Sequence, residues 1–358
     1  MSKKQHSVVI AGYYGFGNAG DELILLSQIQ RLRKEHPDCQ ITVLSARPAE
    51  TAARLDVKAV NRWNPWSWIQ SLWNAELFIL GGGGLLQETT HSWNSLYYLA
   101  LVAFAKIFSC RTEVRAIGVD PIGRWWSRIF ARFVFNHLVN FVSVRDADSQ
   151  RALESIGIHV RLWRSLDPAF YLSLPKIQTA PRPAPKIAWV ISAWPQRPGW
   201  NHDVSFLLQR VAKELNVTNE LLPFFREQDE PLSRSISELT SFHASVRSWE
   251  RLEDLLSWTQ EYDLIIGMRY HALVLAALAQ KTFIGWGYQR KVRTLCRDFN
   301  QPLWTFERGW DSEAVFRQIA DAWKRRVGLA EHHREQIDKW IAAPAVATET
   351  ARIFIAQA

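Results

Sequence analysis

Cysteine and methionine are both scarce in this chain of 358 residues, which has 3 Cys and 2 Met. Cys39, Cys110 and Cys296 are far apart in the sequence and form no Cys-x-x-Cys pair. This spacing argues against a disulfide framework and a thiolate zinc site, and it favours a reducing compartment. The sequence also lacks the His/Asp/Glu spacing of other metal sites. We therefore expect no metal and no resident cofactor.

Long apolar segments are missing as well. The longest, residues 96–110, contains Lys106 and is shorter than the roughly 20 residues that span a bilayer. The polar start at residues 1–5 has no signal-peptide apolar stretch. These features predict a cytoplasmic protein.

The charge is basic but has no long run of one sign. The formal net charge is +8, and the 43 Lys and Arg are spread along the chain. The missing basic tail argues against a nucleic-acid partner, while the net charge favours a small anionic ligand or an anionic membrane face. The segment 124–128 (RWWSR) mixes Trp and Arg as membrane-surface helices do. Packing of its aromatic rings inward is the alternative.

Short apolar runs alternate with helical patterns along most of the chain, as in a parallel sheet covered on both faces. The predicted strands are 7–11, 41–45, 77–80, 114–119, 141–144, 186–193, 220–225, 245–249, 263–267 and 282–286. A connector with four prolines, residues 174–185, interrupts the pattern. We therefore predict two Rossmann-like α/β domains, residues 1–175 and 186–340, with mainly parallel sheets that face each other across a cleft. A C-terminal helix at 341–358 would pack on the first domain.

Ligands of such sheets bind beyond the carboxyl ends of the strands, so residues that follow strands are the candidates. The first of these segments, residues 11–22 (AGYYGFGNAGDE), formally contains a Gly-x-Gly-x-x-Gly fingerprint. Its loop is too long for a dinucleotide site, and Asp21 would repel a pyrophosphate at the helix start. We therefore do not expect NAD. Asp21 is either a functional carboxylate or only a helix N-cap.

Three further segments follow predicted strands. The glycine run 81–84 either brings backbone N–H groups to an anion or makes a tight turn. Arg145 either binds an anion or is a surface arginine paired with Asp146 or Asp148. Arg269 and His271 lie at a helix start, which favours anions, although a structural histidine is the alternative.

Taken together, these motifs resemble the polysaccharide pyruvyltransferase family, most closely its CsaB-like bacterial branch. The similarity covers residues 7–300 and rests on segments 12–22, 81–87, 143–146, 167–170, 222–225 with Asp229, 267–272 and 288–292. It implies a fold similar to the two-domain glycosyltransferase B type. It also implies transfer of pyruvate from phosphoenolpyruvate to two hydroxyls of a sugar, which gives a cyclic ketal and free phosphate.

The resemblance carries over Asp21, Arg145 and His271 as catalytic residues. Asp21 and His271 would be the base and the acid, in either order, while Arg145 and Arg269 would bind the anionic groups of phosphoenolpyruvate. The other residues predicted to bind substrate are Lys291, Asn18, Gly20, Gly82, Gly83, Gly84 and Glu88.

Family acceptors are saccharides of cell-envelope polymers, often lipid-linked precursors on the cytoplasmic membrane face. The resemblance therefore implies that the enzyme works at or near the inner face of that membrane. Two alternatives stay open: a nucleotide-sugar-dependent glycosyltransferase of the same two-domain fold, and a non-catalytic protein that binds a sugar or an anion. The sequence predicts neither the acceptor sugar nor the oligomeric state.

Overall fold

The computed structural model describes residues 6–87, 93–176, 184–193, 197–241, 244–287 and 289–342. The chain divides into two compact units. The first comprises Asp21–Leu172 with the described residues 6–16 and 339–342. The second comprises Gly17–Gly20 and the described part of Ser173–Asp338. Four residues of the first glycine-rich segment thus belong to the unit that is formed mainly by the second half of the chain.

The first unit contains an eight-stranded sheet in which every pairing is parallel. Its strands are β1 (Ser7–Ala11), β2 (Gln40–Ser45), β3 (Lys58–Asn61), β4 (Leu77–Leu80), β5 (Gly83–Leu86), β6 (Arg111–Val119), β7 (Phe141–Val144) and β8 (Leu162–Arg164). They lie in the order β3-β2-β1-β4-β6-β7-β8, and β5 pairs with β6 outside that row. Strand β4 is apolar along its whole length, and β1 is apolar from Val8 onward, as expected where helices cover both faces of a sheet.

Helices connect these strands and bury their apolar sides on the sheet. They are α1 (Ala19–Glu35), α2 (Pro48–Leu55), α3 (Pro65–Trp73), α4 (Trp93–Ile107), α5 (Trp125–Phe133) and α6 (Ala147–Ser155), with a π-helical turn at Val134–Leu138 and a 3-10 turn at Pro168–Tyr171. Helix α3 begins where Asn64 accepts a hydrogen bond from the Trp66 N–H and Pro65 fixes the first turn. The Asp146 carboxylate caps α6 in the same way, through the Ser149 N–H.

The second unit contains a six-stranded parallel sheet. Its strands are β9 (Lys186–Val190), β10 (Thr218–Leu221), β11 (Ala244–Val246), β12 (Leu264–Gly267), β13 (Thr282–Trp286) and β14 (Leu303–Trp304), in the order β11-β10-β9-β12-β13-β14. Its helices are α7 (Trp200–Leu215), α8 (Arg226–Leu239), α9 (Leu252–Trp258), α10 (Tyr270–Leu278), α11 (Arg290–Asp298) and α12 (Ser312–Ala330), together with the first six residues of α13 (His333–Ala342), whose last four belong to the first unit. Trp189, Trp200 and Trp286 pack together in its core, which accounts for part of the high tryptophan content.

The predicted fold class, α/β with two mainly parallel sheets, is confirmed. All ten predicted strands are present, although several begin or end at different residues. Strands β3, β5, β8 and β14 were not predicted, because they are short and β5 starts with two glycines. The glycine run 81–84 was expected as a loop, but its second half is strand. Residues 343–358 of the predicted C-terminal helix and 177–183 of the connector lie outside the described residues.

Among the residues that the structure describes, none of the helices is both long and apolar enough to cross a membrane.

Candidate functional site

The first part of the loop between β1 and α1, residues 12–16, is held in the first unit by a buried glutamate. The Gly15 N–H donates a hydrogen bond to Glu22 Oε1 at 2.7 Å, and Gly15 has a positive φ of 80°. Glu22 is almost fully buried, and burial raises its pKa to about 7. Glu22 therefore fixes the path of the chain beside Asp21. This role of Glu22 was not predicted from the sequence.

Asp21 lies within the first turn of α1, which begins at Ala19. The alternative of Asp21 as the N-cap is therefore wrong, because an N-cap at residue 21 requires a helix that begins at Glu22, whereas α1 begins three residues earlier. Asp21 is 9% exposed. A Cβ atom at Gly83 would lie 2.7 Å from Asp21 Oδ1, and Gly83 has a φ of 103°. Only glycine suits both this backbone conformation and this close approach of the carboxylate.

Arg145, at the end of β7, is largely buried. Its Nε lies 3.3 Å from Asp146 Oδ2, and its Nη1 lies 3.8 Å from Oδ2 of the fully buried Asp167. A Cβ atom at Gly118 would lie only 2.4 Å from Arg145 Nη2. The alternative of a surface arginine is therefore wrong, although the predicted pairing with Asp146 is present.

Asp21 and Arg145 approach consecutive glycines of β5. The Asp21 carboxylate lies against Gly83, and Arg145 Nη2 is 4.0 Å from the Cβ position of Gly84. Since β5 pairs with the last residues of β6, both side chains lie where parallel strands end. The first unit thus brings the Asp21 carboxylate and the Arg145 guanidinium to the start of β5. This arrangement is suited to proton transfer beside a bound anion.

Tyr14 is a second buried polar residue whose place in the site was not predicted from the sequence. A Cβ atom at Gly81 would lie 2.1 Å from its Oη. Complete burial, and secondarily the charge of Asp21, raise the pKa of Tyr14 well above its ordinary value. Tyr14 is therefore a neutral hydroxyl near Asp21. The sequence carries no signal that separates it from the neighbouring Tyr13.

In the second unit, segment 17–20 joins the loop that follows β10. The Ala19 N–H donates to the Phe224 carbonyl at 2.8 Å, and the Arg226 N–H donates to the Gly17 carbonyl at 3.1 Å. Asn18 Oδ1 accepts a hydrogen bond from the Gly20 N–H at 3.2 Å. The predicted substrate-binding residues Asn18 and Gly20 therefore belong to an ordered turn.

His271 is mostly buried and packs against that turn. It lies in the first turn of α10, and a Cβ atom at Gly20 would be 2.2 Å from His271 Nδ1. The ring also makes an edge contact with Tyr270. The first glycine-rich loop therefore meets the segment 267–272 within one unit. These two motifs are about 250 residues apart in the sequence.

Arg269 is held by Asp229, which is completely buried in α8. Arg269 Nη2 lies 2.5 Å from Asp229 Oδ1, and its Nε lies 3.1 Å from Oδ2. The Phe225 N–H donates to the same carboxylate at 2.8 Å. This bidentate pair fixes Arg269 next to His271. Asp229 appeared in the sequence only as part of a family segment, and its link to Arg269 was not predicted.

The remaining predicted residues are less closely associated with these groups. Lys291 Nζ lies 5.8 Å from the centre of the Tyr270 ring, one residue before His271. Gly82 lies close to the backbone of Ala116: a Cβ atom at Gly82 would be 3.1 Å from the Ala116 carbonyl oxygen. Glu88 lies outside the described residues. Within the described part of the chain, His, Cys, Asp and Glu form no group of three or more that could hold a metal ion.

Known structures of the same fold come from several bacteria. Anabaena Alr3699/HepE in complex with UDP-glucose is 12% identical with a TM-score of 0.63, over 96% of this chain and 98% of that one. S. aureus MnaA in its UDP co-structure is 10% identical with a TM-score of 0.64, over 92% and 91%. Acinetobacter baumannii MurG is 11% identical with a TM-score of 0.53, over 97% and 99%. At these identities the likeness shows the fold alone, which is that of glycosyltransferase B enzymes and related epimerases.

No curated protein matches the chain. The family model for polysaccharide pyruvyl transferase, however, matches residues 18–290, about three quarters of the sequence. The matched region includes Asp21, Arg145 and His271. The chain therefore belongs to the polysaccharide pyruvyl transferase family.

Proposed function

We propose that the protein transfers pyruvate from phosphoenolpyruvate to two hydroxyls of one sugar of a cell-envelope polysaccharide or its lipid-linked precursor. Membership of the family supports pyruvyl transfer in polysaccharide synthesis. The choice of phosphoenolpyruvate as the pyruvate donor is our proposal. The reaction belongs in the cytoplasm, which agrees with the three free cysteines of the chain.

The proposed reaction conserves atoms and charge. A proton adds to the CH₂ carbon of phosphoenolpyruvate, and C2 becomes electrophilic. Two sugar hydroxyls form C–O bonds to C2, and the C2–O bond to phosphate breaks. One hydroxyl proton replaces the proton delivered to the methyl group, and the other leaves with inorganic phosphate. The reaction needs a base for the hydroxyls, an acid for the vinyl carbon or the leaving phosphate, and cations for the carboxylate and phosphate.

Asp21 and His271 take the roles of base and acid in this proposal, in either order. Arg145 binds one anionic group of the donor, and Arg269, oriented by Asp229, binds the other. Lys291 supplies a further positive charge near His271. Gly84, whose Cβ position has no atom closer than 3.9 Å, allows the substrate to approach the backbone, and Gly82 and Gly83 precede it in the same glycine run.

The observation that carries the proposal is the placement of the buried Asp21 and Arg145 against the adjacent residues Gly83 and Gly84. A binding protein for an anion has no need of a carboxylate beside the arginine, since the carboxylate would weaken anion binding. A catalyst that deprotonates a hydroxyl next to an anionic donor needs both groups.

Incubation with phosphoenolpyruvate and a panel of glycans tests the proposal. We expect phosphate release that depends on the glycan, together with a pyruvate ketal on the acceptor detected by mass spectrometry. Asp21→Asn and His271→Gln should each reduce the rate by about 100-fold or more. Asp338→Asn and His332→Gln are matched controls, because these side chains are 67% and 82% exposed. Release of UDP from UDP-glucose without use of phosphoenolpyruvate would instead show a glycosyltransferase.

A further inference from the structure

Three successive helices of the first unit cover the same face of its sheet. Leu72 of α3, Leu101 of α4 and Ala131 of α5 pack into one core cluster with Phe78 of β4. Helices α4 and α5 contact each other, and the last residue of α3, Trp73, packs its ring 5.8 Å from that of Phe108. We refer to α3, α4 and α5 as the α3–α5 layer.

The outer side of this layer is unusually apolar. Of the eleven exposed large hydrophobic side chains in the described residues, seven lie on these three helices. On α5 they are Trp125, Ile129 and Phe133, which are 73%, 57% and 51% exposed and follow one another at four-residue spacing. Residues four apart lie on one side of a helix, so the three side chains form a stripe directed away from the core. The alternative in which the aromatic residues of segment 124–128 pack inward is wrong for Trp125 and fits only the half-buried Trp126.

A stripe of arginines runs beside the apolar stripe. Arg124, Arg128 and Arg132 are exposed and have the same four-residue spacing, each one position before Trp125, Ile129 or Phe133. The sequences of α3, α4 and α5 contain no aspartate or glutamate, although the whole chain has 35. The outer side of the layer therefore combines large apolar groups with positive charge and has no acidic residue of its own.

We propose that the α3–α5 layer binds the surface of an anionic lipid bilayer. Trp125, Ile129 and Phe133 insert at the level of the headgroups, and Arg124, Arg128 and Arg132 contact the lipid phosphates. A nucleic acid would satisfy the arginines but would leave the isoleucine and phenylalanine exposed. A bilayer surface satisfies both stripes at once, because apolar chains and anionic headgroups lie within a few ångströms of each other. The surface does not depend on which reaction the protein catalyses.

Vesicle flotation with the full chain tests this proposal. We expect binding to vesicles of phosphatidylcholine with 30% phosphatidylglycerol, about ten-fold or more above binding to phosphatidylcholine alone, and weaker binding at high salt. Trp125→Ser with Ile129→Ser and Phe133→Ser should reduce the partition coefficient by about ten-fold or more. Arg124→Glu with Arg128→Glu and Arg132→Glu should reduce it by about 100-fold.

Matched control variants carry the same kinds of substitution outside the α3–α5 layer. Phe206→Ser with Val327→Ser removes exposed apolar side chains from the second unit, and Lys34→Glu with Lys213→Glu and Lys324→Glu makes the same change in charge outside the layer. The apolar control should bind like the wild type, and the charge control should lose far less binding than the arginine variant. Circular dichroism checks that each variant is folded.

Three results would overturn the proposal. The first is equal binding of the wild type to neutral and anionic vesicles. The second is a loss in the charge control as large as in the arginine variant, which would indicate a general effect of net charge. The third is concentration-dependent self-association that the layer variants abolish without any vesicle binding, which would assign the layer to contacts between copies of this chain.

Discussion

His271 Nδ1 lies so close to Gly20 that a Cβ atom at residue 20 would be 2.2 Å away. Real Cβ atoms are not found at such a distance, so the histidine ring and a side chain at this position exclude each other. Gly20 is the second residue of α1, where alanine would otherwise stabilise the helix by up to about 1 kcal/mol. The glycine is therefore explained by the position of His271 and not by helix formation.

Gly20→Ala should displace His271 and reduce pyruvyl transfer by about 100-fold. It should also destabilise the protein by about 1–3 kcal/mol, as expected for overpacking. Thermal melts and phosphate release measure the two effects. His271→Ala in the same chain should recover most of the stability but not the activity. If Gly20→Ala destabilises the wild type and the His271→Ala variant equally, residue 20 and the His271 ring are not in contact.

Gly83→Ala tests the position of Asp21 in the first unit. The new methyl group would meet Asp21 Oδ1 at 2.7 Å, and the φ of 103° is unfavourable for alanine. We expect a loss of about 1–3 kcal/mol in stability together with most of the activity. Gly84→Ala is the matched control for stability, because its Cβ would only reach ordinary contacts of 3.9 Å and 4.0 Å. Similar losses of stability in both variants would show that strand β5 tolerates no side chain, and that the contact with Asp21 is not responsible.

Asp229→Asn should affect catalysis through Arg269. The variant replaces one charged oxygen of the bidentate pair and leaves the guanidinium free to move. Loss of this buried partner should destabilise the second unit by about 3 kcal/mol or more and should raise the KM for phosphoenolpyruvate. Arg269→Lys keeps the charge but not the bidentate geometry, so it should raise the KM in the same way. An unchanged KM in both variants would exclude Arg269 from donor binding.

Local sequence patterns predict most strands of this fold, whereas the long-range contacts of the site residues cannot be predicted from such patterns. Strands such as Phe141–Val144 and Thr282–Trp286 were predicted at their observed limits because an apolar run bounded by polar turns is a local pattern. Strand β14 has two residues and β5 starts with two glycines, so neither has such a pattern. Asp21, Arg145 and His271 were identified from motifs, whereas their partners at Gly83, Asp167 and Gly20 are long-range contacts that no local spacing encodes.

Glu22 should make the stability of the first unit fall as the pH rises. Burial raises its pKa from 4.5 to about 7, so the folded protein binds more protons than the unfolded chain between these values. The penalty for ionising the buried carboxyl reaches about 3 kcal/mol above pH 7. Glu22→Gln keeps the hydrogen bond from Gly15 and removes the penalty. Melting temperatures should coincide near pH 4.5 and favour Glu22→Gln at pH 8, and a constant difference across this range would refute the assignment.

His333 should have the opposite effect in the second unit. It is buried between the rings of Phe283 and Phe299, and neither ring nitrogen has a hydrogen-bond partner among the described residues. Burial, with a smaller contribution from His332, lowers its pKa from 6.5 to about 4. The unfolded chain therefore binds the proton more readily, and stability should fall by about 3 kcal/mol as the pH drops from 6.5 to 4.

His333→Leu keeps an apolar group of similar volume between the two phenylalanine rings and removes the titrating nitrogen atoms. Its melting temperature should change less than that of the wild type between pH 6.5 and pH 4, and the two proteins should differ most at the acid end. His332→Gln is the matched control, because His332 is 82% exposed and should leave most of the acid sensitivity in place. If His333→Leu loses stability with acid as steeply as the wild type, the titrating group lies elsewhere, and the buried imidazole is not the source of the acid sensitivity.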